Sequence, residues 1–324
     1  IIDILINYLK TSTITNAESY LIMLGILHNE MHNEAFIFSK LSIYNIMHAD
    51  FNINHIKNNS PESLETDIKF ITYNTGTFVQ GSSESTNTFV FDNEMPSFQK
   101  TIEKFHISKY PITEYLFLLF VKNNGYKKQE HWCNNGYKWL KNNNIEHPLY
   151  WTKEGGNYYK TINGQKMSLE TNLPITNISY YEACAYCKWK NLRLPYESEY
   201  EYVATNEGQT LYPWGDENIN DRNCNVNYKN YIVSVRELEE GNNFKNVSQL
   251  IGNVWEWCQE VIYPYNGFTI DPVYREMSYP FFGFKKICKG GSFVVPDFLI
   301  HPKYRNAQNP DCRIQFIGFR VCKN

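Results

Sequence analysis

The chain has 324 residues, with 31 lysines and arginines against 34 aspartates and glutamates, and a formal net charge of −3. That length suits two domains and a substantial core, and a near-neutral balance without basic runs argues against nucleic acid as the main partner. No apolar stretch reaches membrane-spanning length and no secretory signal opens the sequence, so a membrane partner is not expected.

Ile1, Ile2, Leu5, Ile6 and Leu9 read as the end of an amphipathic helix. A chain that starts at Ile1 inside such a pattern is expected to be a fragment or processed form of something longer. Ala17 to Leu27 are mostly apolar or good helix formers, with Asn16 expected as the N-cap. The pattern runs on through His28-Asn29-Glu30-Met31-His32-Asn33-Glu34. On a helix His28 and His32 lie one turn apart on the same face, the spacing that offers two imidazoles to one metal ion. Glu34 points elsewhere and is cast as a supporting acceptor rather than a ligand. Two ligands alone are not a site, so a third must come from elsewhere. Phe36-Ile37-Phe38 and Leu41-Ser42-Ile43-Tyr44 are expected as a core-facing stripe.

The character changes near residue 58, where Asn58-Asn59-Ser60-Pro61-Glu62-Ser63 reads as a polar linker. Beyond it, Phe70–Tyr73 and Thr77–Gln80 are predicted strands, and Thr113–Val121 a helix begun at Pro111. Ile178–Trp189 is a second predicted helix, capped by Ser179. After residue 205 loops dominate, and with 25 Tyr and 7 Trp the region must be held by aromatic packing and side-chain-to-backbone hydrogen bonds. The eight cysteines are scattered through a chain too large to need a disulfide framework, which points to a reduced, cytoplasmic setting. Cys184-x-x-Cys187 has no second pair at zinc-knuckle spacing and is read as buried packing.

Five motifs follow in order. They are Asn191-Leu192-Arg193-Leu194-Pro195 with Tyr196 to Tyr202; Tyr212-Pro213-Trp214-Gly215-Asp216; Gly252-Asn253-Val254-Trp255-Glu256-Trp257; Lys289-Gly290-Gly291-Ser292-Phe293; and Gly318-Phe319-Arg320. Together they resemble the formylglycine-generating-enzyme (sulfatase-modifying-factor) domain, which has a C-type-lectin-like core. The motifs themselves mostly specify scaffold: two buried indoles around one carboxylate, and a glycine pair permitting close backbone approach. Asn253 and Glu256 are candidate ligands for a structural calcium ion. Formylglycine-generating enzymes, as the resemblance implies, bind copper through a cysteine pair just after Gly-Gly-Ser. Phe293 to His301 contains no cysteine, so that reading loses most of its weight and stands only as the least favoured alternative.

The order His28-x-x-x-His32-x-Glu34 followed by this domain resembles a second branch, the non-haem iron sulfoxide synthases of ergothioneine biosynthesis, which join a DinB-like helical domain to it. Phe91 to Pro96, Tyr110-Pro111-Ile112-Thr113, Gly136-Tyr137-Lys138-Trp139 and His147 to Trp151 extend the likeness. The expected fold is therefore α+β: a partial DinB-like helical segment over 1–57, a linker over 58–65, and a loop-rich, C-type-lectin-like formylglycine-generating-enzyme domain over 66–324.

That resemblance implies Fe(II) held by three histidines, with small-molecule substrates: a thiol (γ-glutamylcysteine or cysteine), a histidine derivative such as hercynine, and dioxygen. His28 and His32 match two ligands, and the third is expected upstream of Ile1 rather than at His48, His55 or His301. Tyr274 matches the family's proton donor. Asn306 matches an asparagine that contacts the amino-acid end of the histidine substrate, and Arg313 falls near a guanidinium that clamps the thiol's carboxylate. The family's Trp-Asp after the asparagine is here Ala307-Gln308, Met31 stands where a substrate-contacting glutamine is common, and Met277 replaces a second tyrosine. These departures leave a competing reading, a non-catalytic or altered-specificity binding protein on the same scaffold. Oligomeric state has no signature in the sequence.

Overall fold

A computed structural model describes residues 2–47, 67–83, 89–162 and 164–324; the expected linker, His48 and His55 lie outside them. Helix α1 spans Ile2–Thr11 and α2 spans Asn16–Met47. The start of α2 is fixed by Thr15, not Asn16. Glu18 N–H donates to Thr15 Oγ1 (3.3 Å) while Thr15 N–H donates to Glu18 Oε2 (2.9 Å), a reciprocal box that satisfies two otherwise orphaned donors. Along α2, Leu24, Leu27, Phe38 and Leu41 are buried, but Phe36 is 70% and Ile43 54% exposed. The expected stripe is thus narrower, because consecutive helical residues point about 100° apart.

Strands β1 (Phe70–Tyr73), β2 (Gly76–Gln80), β3 (Phe98–Ile102) and β4 (Phe105–Ser108) follow. Helices α3 (Glu114–Lys122) and α4 (Asn134–Asn142) precede a three-stranded antiparallel sheet of β5 (Trp151–Glu154), β6 (Asn157–Ile162) and β7 (Gln165–Ser168). Helices α5 (Tyr180–Lys190) and α6 (Glu197–Ala204) come next. The chain ends with β8 (Trp255–Val261), β9 (Lys286–Lys289), β10 (Asn306–Gln308), β11 (Ile317–Gly318) and β12 (Cys322–Lys323). The central sheet has the order β10-β9-β8-β11, and β4 lies between β1 and β12, so the C-terminus closes onto the start of the domain.

Ser179 caps α5 as expected, through a box with Glu182, while α3 starts later than expected, with Thr113 as its cap rather than its first turn. Loops between 205 and 254 are pinned by amides: Asn243 Nδ2 donates to Val203 O (2.9 Å), and Asn253 Nδ2 to Val233 O (3.1 Å). Rings fill the core, with Phe117 and Tyr186 stacked at 5.6 Å. Trp255 and Trp257 are buried on either side of Glu256, whose carboxylate pairs with Arg320 at 2.6 and 2.7 Å. Of the two calcium candidates, Glu256 is thus engaged by a guanidinium, and Asn253 Oδ1 accepts from Asn225 Nδ2 and Val233 N–H. Cys187 is buried and Cys184 half-buried, both thiols pushed up by burial, in keeping with packing. Among the described residues no helix is long and apolar enough to cross a membrane.

Candidate functional site

Helix α2 meets the start of β8 through Glu34 and Trp255, and carries the two histidines into a cavity of about 440 Å³. The i, i+4 spacing sets their Nε2 atoms face to face at 2.8 Å, with ring centroids 4.5 Å apart. Two lone pairs converging at that separation can share a metal ion, since ligands about 2.0–2.1 Å from an ion at roughly right angles stand about 3 Å apart. Burial, then the charge of His32, lowers the His28 pKa, which favours the neutral ring, with one nitrogen free to ligate. No group of three or more His, Cys, Asp or Glu side chains suited to a metal occurs among the described residues. His301 does not substitute as a third ligand; its Nε2 faces Glu94 Oε2 at 3.2 Å.

Tyr274 arrives from a loop whose backbone is fixed by Asp271, which accepts from Tyr274 N–H at 3.0 Å. Its hydroxyl lies 2.8 Å from His28 Nδ1, and burial raises its pKa, so the phenol keeps its proton. The sequence-expected pair of histidine and tyrosine is therefore brought together across 246 residues of chain.

Asn306 and Gln308 lie two apart on β10 and so share a face, which lines the cavity. Asn306 Oδ1 accepts from Ala307 N–H (2.8 Å) and sits 3.5 Å from Gln308 Nε2. Met31 lines the same cavity, with the Tyr304 hydroxyl 3.6 Å from its sulfur. Glu34 is buried beneath it, accepting from Trp255 Nε1 (2.8 Å) and Ser292 Oγ (2.6 Å).

Arg313 is not among these residues. Its Nε and Nη2 grip the buried Glu182 at 3.0 and 2.9 Å, and Nη2 also reaches His147 O. Glu182, bound by the Ser179 cap as well, needs that cation to be buried at all. The expected clamp is a structural ion pair, and the cavity is lined instead by the cations of Arg305 and of Lys285, which the sequence did not single out. Lys285 stands just before β9, which begins at its neighbour Lys286.

Residues 57–324 match the sulfatase-modifying factor enzyme 1-like domain (FGE-sulfatase). The chain is 29% identical over 250 residues to hercynine oxygenase of Mycobacterium tuberculosis, covering 75% of this chain and 58% of that protein. It is 27% identical over 278 residues to formylglycine-generating enzyme of Thermomonospora curvata, covering 76% and 90%. The chain thus spans little more than half the length of the hercynine oxygenase it matches. Among solved structures it is similar in fold to PvdO from Pseudomonas aeruginosa, with a TM-score of 0.54, 20% identity and coverage of 80% of this chain and 95% of that one.

Proposed function

This chain belongs to the sulfatase-modifying factor enzyme 1-like family, and from that premise we propose that it is an iron- and dioxygen-dependent enzyme that joins the sulfur of a small thiol to the imidazole carbon of a histidine derivative. Hercynine is the acceptor and γ-glutamylcysteine or cysteine the thiol. Thiol, imidazole C–H and O₂ give the coupled sulfoxide and one water, which balances atoms and electrons.

The observation that carries this reading is the convergence of His28 Nε2, His32 Nε2 and the Tyr274 hydroxyl on one cavity. His28 and His32 would hold Fe(II), which when bound supplies dioxygen activation and an open position for a thiolate. The chain's own residues do the rest. Tyr274 keeps a phenolic proton within reach of the His28 ring and can deliver it without first ionising. Asn306 and Gln308 offer amides to the polar end of an amino-acid substrate. Trp255, Phe281, Leu299 and Tyr304 supply apolar walls that exclude water and strengthen the polar contacts inside. The likeness to a hercynine oxygenase supports the choice of acceptor.

The test is anaerobic loading of the protein with Fe(II), hercynine and each thiol in turn, followed by oxygen and mass spectrometry. A coupled sulfoxide is the expected product, lost in His28→Ala. No coupled product with either thiol overturns the reading and leaves a binding protein.

A further inference from the structure

The charged groups around the cavity are nearly all committed to the fold. Arg305 is bonded through Nε and Nη2 to Glu197 at 2.7 and 3.1 Å, and Nη2 also donates to Tyr263 O. Glu34 is saturated by Trp255 and Ser292. Lys285 differs. Its backbone is fixed, accepting from Ile262 N–H (2.9 Å) and donating to Phe281 O (3.3 Å). Its ammonium lies 3.6 Å over the Phe281 ring with no carboxylate or carbonyl acceptor among the described residues. The neighbouring Lys286, the first residue of β9, donates to Gln259 O (3.2 Å) and lies over Tyr180. One lysine of the pair is therefore tied into the fold, while the other lines the cavity with donors to spare.

The opposite strand sharpens the contrast. Gln308 pairs with Lys286 in register, one residue from Lys285, and presents a neutral amide to the cavity. No carboxylate there balances the Lys285 charge. A half-buried ammonium over an aromatic ring gains most from an incoming anion, because a charge-assisted hydrogen bond replaces lost hydration. Arg313 cannot meet that need for a substrate, being held by Glu182.

We propose that Lys285 receives the carboxylate of the thiol substrate, so that the cavity selects thiols that bear a carboxylate over those that do not. The assignment rests on the reading of the cavity as the coupling site. Burial holds the Lys285 ammonium below the ordinary lysine range, as expected for a cation waiting for its partner.

Calorimetric titration of the anaerobic, Fe(II)-loaded protein with L-cysteine and with cysteamine, which lacks only the carboxylate, reads the site. The wild type is expected to bind cysteine about ten- to a hundredfold more tightly. Lys285→Gln should reduce that preference to about threefold or less without changing hercynine affinity, and Lys285→Arg should restore most of it. Equal binding of the two thiols by the wild type, or neither binding, overturns the proposal. So does an undiminished preference in Lys285→Gln, or a parallel loss of hercynine affinity, which would place the carboxylate on the other substrate. If Lys285→Gln does not fold, the wild-type comparison and Lys285→Arg decide alone. A wild type that discriminates yet forms no coupled product sinks the reaction and spares the site; product formation with undiminished discrimination in Lys285→Gln does the reverse.

Discussion

The indole N–H of Trp255 donates to Oε1 of Glu34 at 2.8 Å, joining α2 to the first residue of β8. Ser292, after the glycine pair, donates to the same oxygen at 2.6 Å. The helix bearing the histidines is thus fastened to the two most recognisable motifs of the domain two residues beyond His32. Glu34, expected as a supporting acceptor, accepts here from two groups of the domain itself.

Removing that acceptor strands two buried donors. Each costs about 1–3 kcal/mol, so Glu34→Ala should lower stability by about 2–6 kcal/mol. Glu34→Gln keeps a carbonyl oxygen and should cost about 1 kcal/mol or less. Thermal unfolding measures both, and limited proteolysis should cut α2 of the alanine variant while the remainder stays protected. Equal melting of all three proteins would mean the contact is idle.

Arg313 gives the opposite expectation from the one its place in the sequence suggested. Arg313→Ala leaves Glu182 buried without its cation, which costs about 3–5 kcal/mol. Surviving folded protein should still distinguish cysteine from cysteamine. Loss of that distinction with unchanged melting would return the arginine to the substrate.

Why one arginine misled while two histidines did not is a matter of range. His28 and His32 are fixed by a single helix, so spacing alone sets their geometry. The caps at Thr113 and Ser179 are equally local. The Gly-Gly-Ser and Trp-Glu-Trp segments carry their constraint in composition. Arg313 sits in a loop, and whether it meets a ligand or Glu182, 131 residues earlier, depends on tertiary placement that no local pattern encodes. Lys285 escaped for the same reason: beside Lys286 it looks like ordinary surface charge until the fold ties Lys286 to Gln259 O and leaves Lys285 lining the cavity. Asn16 lost the cap to its neighbour Thr15 because Glu18 stands three residues after the threonine.

Gly290 tests whether the glycine pair is scaffold. Its φ is +98°, and an added Cβ would lie 2.7 Å from the Tyr200 hydroxyl, which donates to Leu250 O at 2.7 Å. Gly290→Ala must strain the backbone and displace that hydroxyl, costing about 2–4 kcal/mol in thermal or urea unfolding. A variant that melts with the wild type would show that the turn relaxes freely.

The pair of buried Glu94 and half-buried His301 sets a pH window for stability. Burial raises the Glu94 pKa from 4.5 to about 8, while burial and the nearby Lys289 and Lys303 lower that of His301 from 6.5 to about 3. Between pH 4.5 and 8 the folded chain holds a proton on Glu94 that the unfolded chain has released, so this group's contribution falls as pH rises. Between pH 3 and 6.5 the unfolded chain holds a proton on His301 that the folded one lacks, so that contribution falls as pH drops. The two slopes cancel from pH 4.5 to 6.5, giving a plateau with a decline on either side. Glu94→Gln keeps an acceptor for Phe91 N–H and should gain on the wild type progressively from pH 4.5 to 8, by a few kcal/mol on the order set by the shift. His301→Asn should gain on it as pH falls from 6.5 toward 3. Melting temperatures of the three proteins from pH 3 to 9, compared as differences from the wild type, check both slopes, and flat difference curves would show that neither group changes its proton on folding.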